Sequence, residues 1–272
     1  MMLQRTITGF VFVVVLLSCI SFNQYTFAAL FFTITVLGVR EFYIISKIGD
    51  NKPQPIYGIF LSAFLFVMCF LDAFFFHNSR LLLLIIPFVY LLFFTELYLK
   101  KQYPFREIAY TILGLVYVAL PMSLLNYLVH HKNYVNDFEP NVLLGLFYMI
   151  WANDTGAYLS GRFFGRKKLF ERISPNKTWE GAIGGGLLAM IAAYVLAKFN
   201  NDLPSEHWFA IAAIVIVAGN FGDLIESLYK RSKNIKDSGT ILPGHGGILD
   251  RFDSLIYSVP FVFTYLIFID YI

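Results

Sequence analysis

Cysteine and charge are what this chain has least of. Its 272 residues include two cysteines, Cys19 and Cys69, both inside apolar runs. They offer no metal-binding spacing and no disulfide framework, and read as buried apolar thiols. Charged residues make up only 14% of the chain against 58% hydrophobic, and mean hydropathy is +0.65. That balance points away from an ordinary soluble domain and toward a membrane protein. Low-complexity segments, short-period repeats and lipidation motifs are missing. Arg5 precedes the apolar run Ile7 to Ile20, but no clear small-residue cleavage site follows, so the run reads as a retained first span. The signatures of nucleophilic enzymes are absent too: no GxSxG elbow, no HExxH, no Cys/His set. Nor is there a Walker A loop.

What is present is a series of apolar runs. A helix of about 20 apolar residues crosses a bilayer. Nine such spans fit, near 6–22, 25–46, 56–76, 80–99, 107–128, 141–161, 181–199, 207–229 and 252–271. The expected fold class is therefore an all-α polytopic membrane protein. The second span is expected to loosen into an amphipathic turn at Glu41 to Lys47. The sixth is expected to break at Asn153, Asp154, Thr155 and Gly156. Pro87, Pro121 and Pro260 read as kinks packed against neighbours.

The net charge of +3 is uninformative, but its distribution is not. With the N-terminus in the cytoplasm and the C-terminus outside, 18 of the 21 Lys and Arg residues fall on the cytoplasmic side. Only Arg80, Lys132 and Lys198 fall outside, as the positive-inside rule requires. Residues 1–140, five spans with almost no intramembrane charge, read as scaffold and lipid-facing surface. Residues 141–272 read as catalytic, with two cytoplasmic loops at 161–181 and 229–252.

Three polar constellations lie in that second region. The first, Trp151 to Tyr158 (WANDTGAY), puts Asp154 at membrane depth beside Asn153. An aspartate there costs roughly 2.5–3.5 kcal/mol on insertion, so it needs a partner, a wet cavity or a proton. The second, Ser174 to Gly181 (SPNKTWEG), precedes a glycine-rich helix expected from Ala182. Helix-start N–H groups, Lys177 and Thr178 could face an anion there, with Ser174 and Asn176 beside them. A solvated loop fits this spacing equally well, and Gly184 to Gly186 suit close helix packing as well as phosphate. The third runs from Asn220 into Ser227–Ser254. Asp223, Glu226, Ser227 and Lys230 share one helical face. Glu226 and Lys230 could simply pair, whereas Asp223 has no cation near it in sequence. The stretch Ser227–Ser254 holds five cations (Lys230, Arg231, Lys233, Lys236, Arg251), three aspartates (Asp237, Asp250, Asp253), His245 and four glycines. Carboxylates beside concentrated Lys and Arg suggest a divalent metal with phosphate oxygens.

The run S-x-x-K-R-x4-K-D-x-G-x2-L-P-G-H-G-G-x2-D-R-x-D, Ser227 to Asp253, resembles the signature of the phosphatidate cytidylyltransferases. The SPNKTWEG and NDTGAY segments are similar to two further blocks of that family. The likeness is detailed over residues 150–254. It implies transfer of the cytidylyl group of CTP to phosphatidate, giving CDP-diacylglycerol and pyrophosphate. It also implies Mg2+, with K+ as a second cation, and a homodimer with a membrane-embedded funnel in the bacterial inner membrane. Asp223 and Asp250 would be the metal carboxylates, with Asp253 and Asp154 close by or acting through water. The motif does not settle further roles; on the residues themselves Lys230, Arg231 and Lys236 would hold triphosphate or phosphatidate oxygens, Asp237 would orient Lys236, and His245 could bind phosphate or move a proton, although a lone loop histidine more often does neither. Asn153, Ser174, Asn176, Lys177, Thr178, Ser227, Gly246, Gly247 and Arg251 complete the expected substrate contacts. No nucleic acid partner is expected. The alternatives are the same chemistry on an isoprenoid-linked phosphate, or an ion-coupled transporter using Asp154 and Asp223.

Overall fold

The structure is a computed structural model that describes residues 2–49, 51–130, 138–200, 203–239, 241 and 246–272, with backbone alone at 2–5. Among the described residues, nine helical rods and one short hairpin make up the fold. The rods are α1 (Met2–Phe22), α2 (Gln24–Ser46), α3 (Pro55–Phe76), α4 (Ser79–Leu99), α5 (Pro104–Leu128), α6 (Asn141–Phe164), α7 (Trp179–Phe199), α8 (Ser205–Ser232) and α9 (Leu249–Phe268). Seven of them, α2 to α5 and α7 to α9, are long and apolar enough to cross a membrane. The apolar part of α1, Thr6–Phe22, is shorter. Helix α6 has the length, at 24 residues, but carries Asn153, Asp154 and Arg162.

Local chemistry sets the helix ends. Asn23 caps α2 by accepting from Tyr25 N and Thr26 N, both at 2.9 Å, while Thr26 Oγ1 accepts from Asn23 N. Pro55 and Pro104 open α3 and α5, where a missing N–H is harmless. Two rods contain a wide, π-type turn in mid-helix, at 115–119 in α5 and 215–219 in α8. The first ends two residues before Pro121, a residue that cannot donate a backbone bond.

Contacts divide the chain into two compact units. The first holds residues 1–138 with 233–251, plus Ile272. Its core is a set of apolar side chains from α1 to α5, among them Phe27, Phe31, Phe42 and Phe66, all nearly inaccessible. Tyr43 lies in a slot between Gly58 and Gly114 and donates to Thr111 O at 2.6 Å. A Cβ at Gly114 would stand 2.7 Å from the Tyr43 hydroxyl, so the slot exists only with glycine there. The expected loosening at the end of α2 does not occur. The helix continues to Ser46, and Glu41 is buried.

The second unit holds residues 139–232 with 252–271. Its closest pairing is α6 against α7. A Cβ at Gly156 would stand 2.7 Å from Gly184 O, and one at Gly181 would stand 2.9 Å from Ala157 O. Small residues let the two backbones touch, and this accounts for Gly184 and Gly185. Helix α6 passes through Asn153–Gly156 unbroken, contrary to the expected interruption. Polar side chains there leave the backbone ladder intact, and α7 covers the glycine.

The all-α expectation has one exception. Strands β1 (Lys168–Phe170) and β2 (Ser174–Thr178) form an antiparallel hairpin between α6 and α7, pairing Lys168 with Thr178 and Phe170 with Ser174. Pro175 is tolerated because a two-stranded ribbon is all edge. Helix α7 begins three residues before the expected Ala182, since Thr178 Oγ1 caps it by accepting from Gly181 N at 3.1 Å.

Candidate active site

A cavity of about 260 Å3 opens in the second unit, lined by Asp154, Asn176, Lys177, Thr178, Asn220 and Asp223 among others. The hairpin presents one wall. Glu180, in the first turn of α7, accepts from Arg166 N at 3.0 Å and Lys167 N at 3.2 Å, and Trp179 N donates to Lys167 O. These bonds tie both ends of the hairpin to the start of α7, so Asn176 and Lys177 are held on β2 just ahead of a helix N-terminus.

Helix α8 supplies the facing wall. Its wide turn at 215–219 ends at Asn220, whose Nδ2 donates to Ile216 O at 2.6 Å. Asn220 and Asp223, three apart, then share one face toward the cavity. Widened turns of this kind re-aim the residues after them and are frequent at functional sites. Asp223 finds the cation its local sequence lacks: Lys177 Nζ lies 2.6 Å from its Oδ2. Both side chains keep access to solvent, at 24% and 37% exposed. Ser227 Oγ donates to Asp223 Oδ1 at 3.3 Å.

More carboxylates gather around this wall. Gly222 lets α9 pass close, since a Cβ there would meet Asp253 O at 2.7 Å. Asp253 consequently stands within electrostatic reach of Asp223, Glu226 and Asp154. Like charges so gathered are costly unless cations or protons join them. Glu226 is buried and pairs with Lys230 at 2.5 Å, so the Lys230 ammonium, expected on phosphate, is engaged within its own helix.

In the first unit, Asp250 binds Ser238 and Gly247, ahead of α9. Its Oδ2 accepts from Ser238 N (2.9 Å), Ser238 Oγ (2.9 Å) and Gly247 N (2.8 Å). Gly246 takes a left-handed φ of +84°, which favours glycine, and a Cβ there would strike Asp250 Oδ2. Gly246 and Gly247 thus make room for Asp250 and bind it. Lys233 Nζ donates to Ile48 O at 2.9 Å and lies 5.3 Å above the Tyr110 ring, anchoring the loop to the end of α2. Lys236, Asp237 and Arg251 are exposed here, as is Arg231 in the second unit.

The remaining expected residues are placed as follows. Asn153 is 2% exposed and turned against Gly185 in the α6–α7 contact, away from the open face that its neighbour Asp154 occupies. Ser174 is half-buried in the hairpin, and Thr178 serves as the α7 cap while lining the cavity. His245 lies outside the described residues. Sequence reasoning missed Asn220 as a lining residue, Ser238 as the partner of Asp250, and Glu41 as the partner of Ser238 and Leu249. The signal for Glu41 was present: an acid inside an apolar span is expensive and needs a reason.

The donor chemistry fits Mg2+. Asp154, Asn176, Asn220 and Asp223 offer hard oxygen atoms to the cavity, and its described lining residues hold no sulfur or imidazole. Among the described residues no three carboxylate, histidine or cysteine side chains converge tightly enough to cage an ion alone. Mg2+ ordinarily takes one or two carboxylates and fills the rest with water and substrate phosphate.

Comparison with known proteins gives a consistent result. The family model described as "Cytidylyltransferase family" matches residues 3–269. A phosphatidate cytidylyltransferase of Haemophilus influenzae is 34% identical over 295 residues, 98% of this chain and 99% of that protein. The Bacillus subtilis protein of the same name is 32% identical over 271 residues, 97% of each chain. One from Staphylococcus epidermidis (strain RP62A) is 37% identical over 170 residues, 62% of each.

Proposed function

The chain belongs to the cytidylyltransferase family, and from that premise we propose that it transfers the cytidylyl group of CTP to phosphatidate. A phosphatidate oxygen attacks the α-phosphorus of CTP and forms a new P–O bond. The bond from that phosphorus to the β-phosphate oxygen breaks, and pyrophosphate leaves with the electron pair. No protein nucleophile is needed, which agrees with the absence of any nucleophile signature. Catalysis is then positioning and charge neutralisation.

The observation that carries this reading is the Lys177–Asp223 pair on the cavity wall. A lysine and an aspartate at the same open surface can each exchange the other for a better partner. Lys177 would turn to a phosphate oxygen of the nucleotide, as a point charge. Asp223 would then face the cation that accompanies a triphosphate. Bound there, Mg2+ supplies Lewis-acid neutralisation of the phosphate oxygens. Asp154, Asn176 and Asn220 would orient the nucleotide or water within the cavity. By its place in the motif Asp250 is the second proposed metal carboxylate, with Asp253 a third. Lys236, Arg231 and Arg251 are proposed to meet phosphate oxygens from exposed positions. K+ as a second cation, a homodimeric state and a cytoplasm-facing site in a bacterial inner membrane belong to the same proposal. The last is supported by the charge asymmetry of the connections.

The test is pyrophosphate release by the purified protein in mixed micelles containing phosphatidate and Mg2+, with CTP compared against ATP, GTP and UTP. Release with CTP alone, lost on adding EDTA, is the expected result. Release with CTP only when an isoprenoid-linked phosphate replaces phosphatidate would change the lipid and keep the chemistry. Silence with every nucleotide and lipid, from folded protein, would overturn the reading and make substrate-coupled ion flux in vesicles the next measurement.

A further inference from the structure

The least expected acid in the first unit is Glu41. It sits on α2, is 2% exposed, and has Phe42, Tyr43 and Ile45 buried around it in sequence. Its Oε2 accepts from Leu249 N, the first residue of α9, at 3.0 Å. The same oxygen lies 3.2 Å from Ser238 Oγ. Ser238 in turn gives both its N–H and its hydroxyl reach to Asp250 Oδ2, each at 2.9 Å. Glu41 therefore touches Ser238 and Leu249, on either side of the glycine-rich motif, and it reaches Asp250 through Ser238.

Two glycines show how closely the loop wraps this carboxylate. A Cβ at Gly239 would stand 2.6 Å from Glu41 Oε1, and the three atoms nearest to it all belong to Glu41. A Cβ at Gly247 would stand 2.5 Å from Oε2 and 2.7 Å from Oε1. Burying a carboxylate carries an effective penalty of several kcal/mol. An apolar side chain would serve α2 packing better. The acid is accounted for by the N–H and O–H groups it organises.

We propose that Glu41 is a positioning residue for the reaction: by holding Leu249 N–H and Ser238 it fixes these two backbone positions and, through Ser238, the aim of Asp250. This rests on the proposed cytidylyltransferase reaction and on Asp250 as a metal carboxylate. Outer partners that orient a metal-binding carboxylate are commonly worth about 10–100-fold in metal affinity or activity. The effect of losing Glu41 should therefore fall on the Mg2+ requirement and on kcat. The KM for phosphatidate should hardly move.

The experiment compares wild type with Glu41→Gln, Glu41→Ala, Gly239→Ala and the double variant Glu41→Ala/Gly239→Ala in mixed micelles. Wild-type pyrophosphate release is measured first, and its absence would remove the family reading and this inference together. Against active wild type, Glu41→Ala should raise half-saturating Mg2+ or lower kcat by about 10–100-fold. Its KM for phosphatidate should stay within about twofold, and Glu41→Gln, which keeps an acceptor for Leu249 N, should be milder. Gly239→Ala should reproduce the defect by pushing Glu41 away, and the double variant should be no worse than Glu41→Ala alone. Hydrogen exchange over residues 238–250 gives a readout independent of turnover, with faster exchange expected in Glu41→Ala at an unchanged unfolding midpoint. Active wild type with Glu41→Ala kinetics unaltered would overturn this inference alone, as would strict additivity of the two defects. If Glu41→Ala fails to fold, Glu41→Gln and Gly239→Ala decide by the same Mg2+ and KM criteria.

Discussion

Replacing Lys177 by methionine separates two things the Lys177–Asp223 pair could be doing. The ion pair is short, 2.6 Å, but its side chains are 24% and 37% exposed. Unscreened Coulomb arithmetic at that separation gives several kcal/mol even at an effective dielectric of about 20. Solvent screening and the entropy of two flexible side chains reduce measured values for exposed pairs to about 0–1 kcal/mol. Methionine preserves much of the apolar stem. Lys177→Met should therefore cost about 1 kcal/mol of stability or less. Catalysis should suffer far more, because the ammonium would be lost from the place proposed to hold phosphate oxygens. Removal of one preorganised oxyanion-hole donor in acyl transfer costs about 2.7–4 kcal/mol, a factor of about 10²–10³ in kcat, and a loss of that order is expected here. The assay is CTP-dependent pyrophosphate release per folded molecule, set beside the thermal midpoint in the same micelles. Asp223→Asn should give a comparable loss, and the double variant should lose much less than the product of the two. A midpoint that collapses in Lys177→Met while turnover per folded molecule survives would refute the reasoning. The pair would then be a strut.

Lys230→Met should behave in the opposite way. It leaves the buried Glu226 without its ammonium, and breaking a buried pair typically costs about 3–5 kcal/mol; Glu226→Gln/Lys230→Met should recover much of that, which chemical denaturation of the two variants in micelles will show. Gly156→Ala places a methyl 2.7 Å from Gly184 O, backbone on both sides, so a loss of about 1–3 kcal/mol is expected in the thermal midpoint. Chelation by EDTA should abolish pyrophosphate release while leaving the helical circular dichroism signal intact, and added Mg2+ should restore turnover.

Much of the fold is legible in the sequence because the bilayer enforces one simple rule. Backbone groups in hydrocarbon must bond within their own segment, so each long apolar run becomes a helix. That rule finds the seven apolar rods with boundaries off by a few residues. It misjudges α6, where Asn153 to Gly156 lower hydropathy without disturbing the ladder. It also misses the β1–β2 hairpin. Strands of three and five residues carry too little pattern, and Pro175 argues against a strand unless the ribbon is all edge.

The candidate site divides along a different line. Residues that act on the local face of their own helix are readable: Asp223 with Ser227, and Glu226 with Lys230, follow from i, i+4 spacing alone. Partners supplied from afar are not. Lys177 reaches Asp223 from a hairpin the sequence does not announce, and Glu41 reaches Ser238 and Leu249 from a span read as scaffold. The two cases call for different tests of a sequence. A charge on a wet cavity wall, such as Lys177, can serve a ligand because its present partner is exchangeable at small cost. An acid only 2% exposed, such as Glu41, cannot readily exchange its partners, so the role proposed for it is the geometry it imposes on others. Acids inside apolar spans are therefore worth following to the backbone they hold before they are assigned to lipid headgroups. In this chain α2, within the region read as scaffold and lipid-facing surface, carries a buried carboxylate that contacts Ser238 and Leu249.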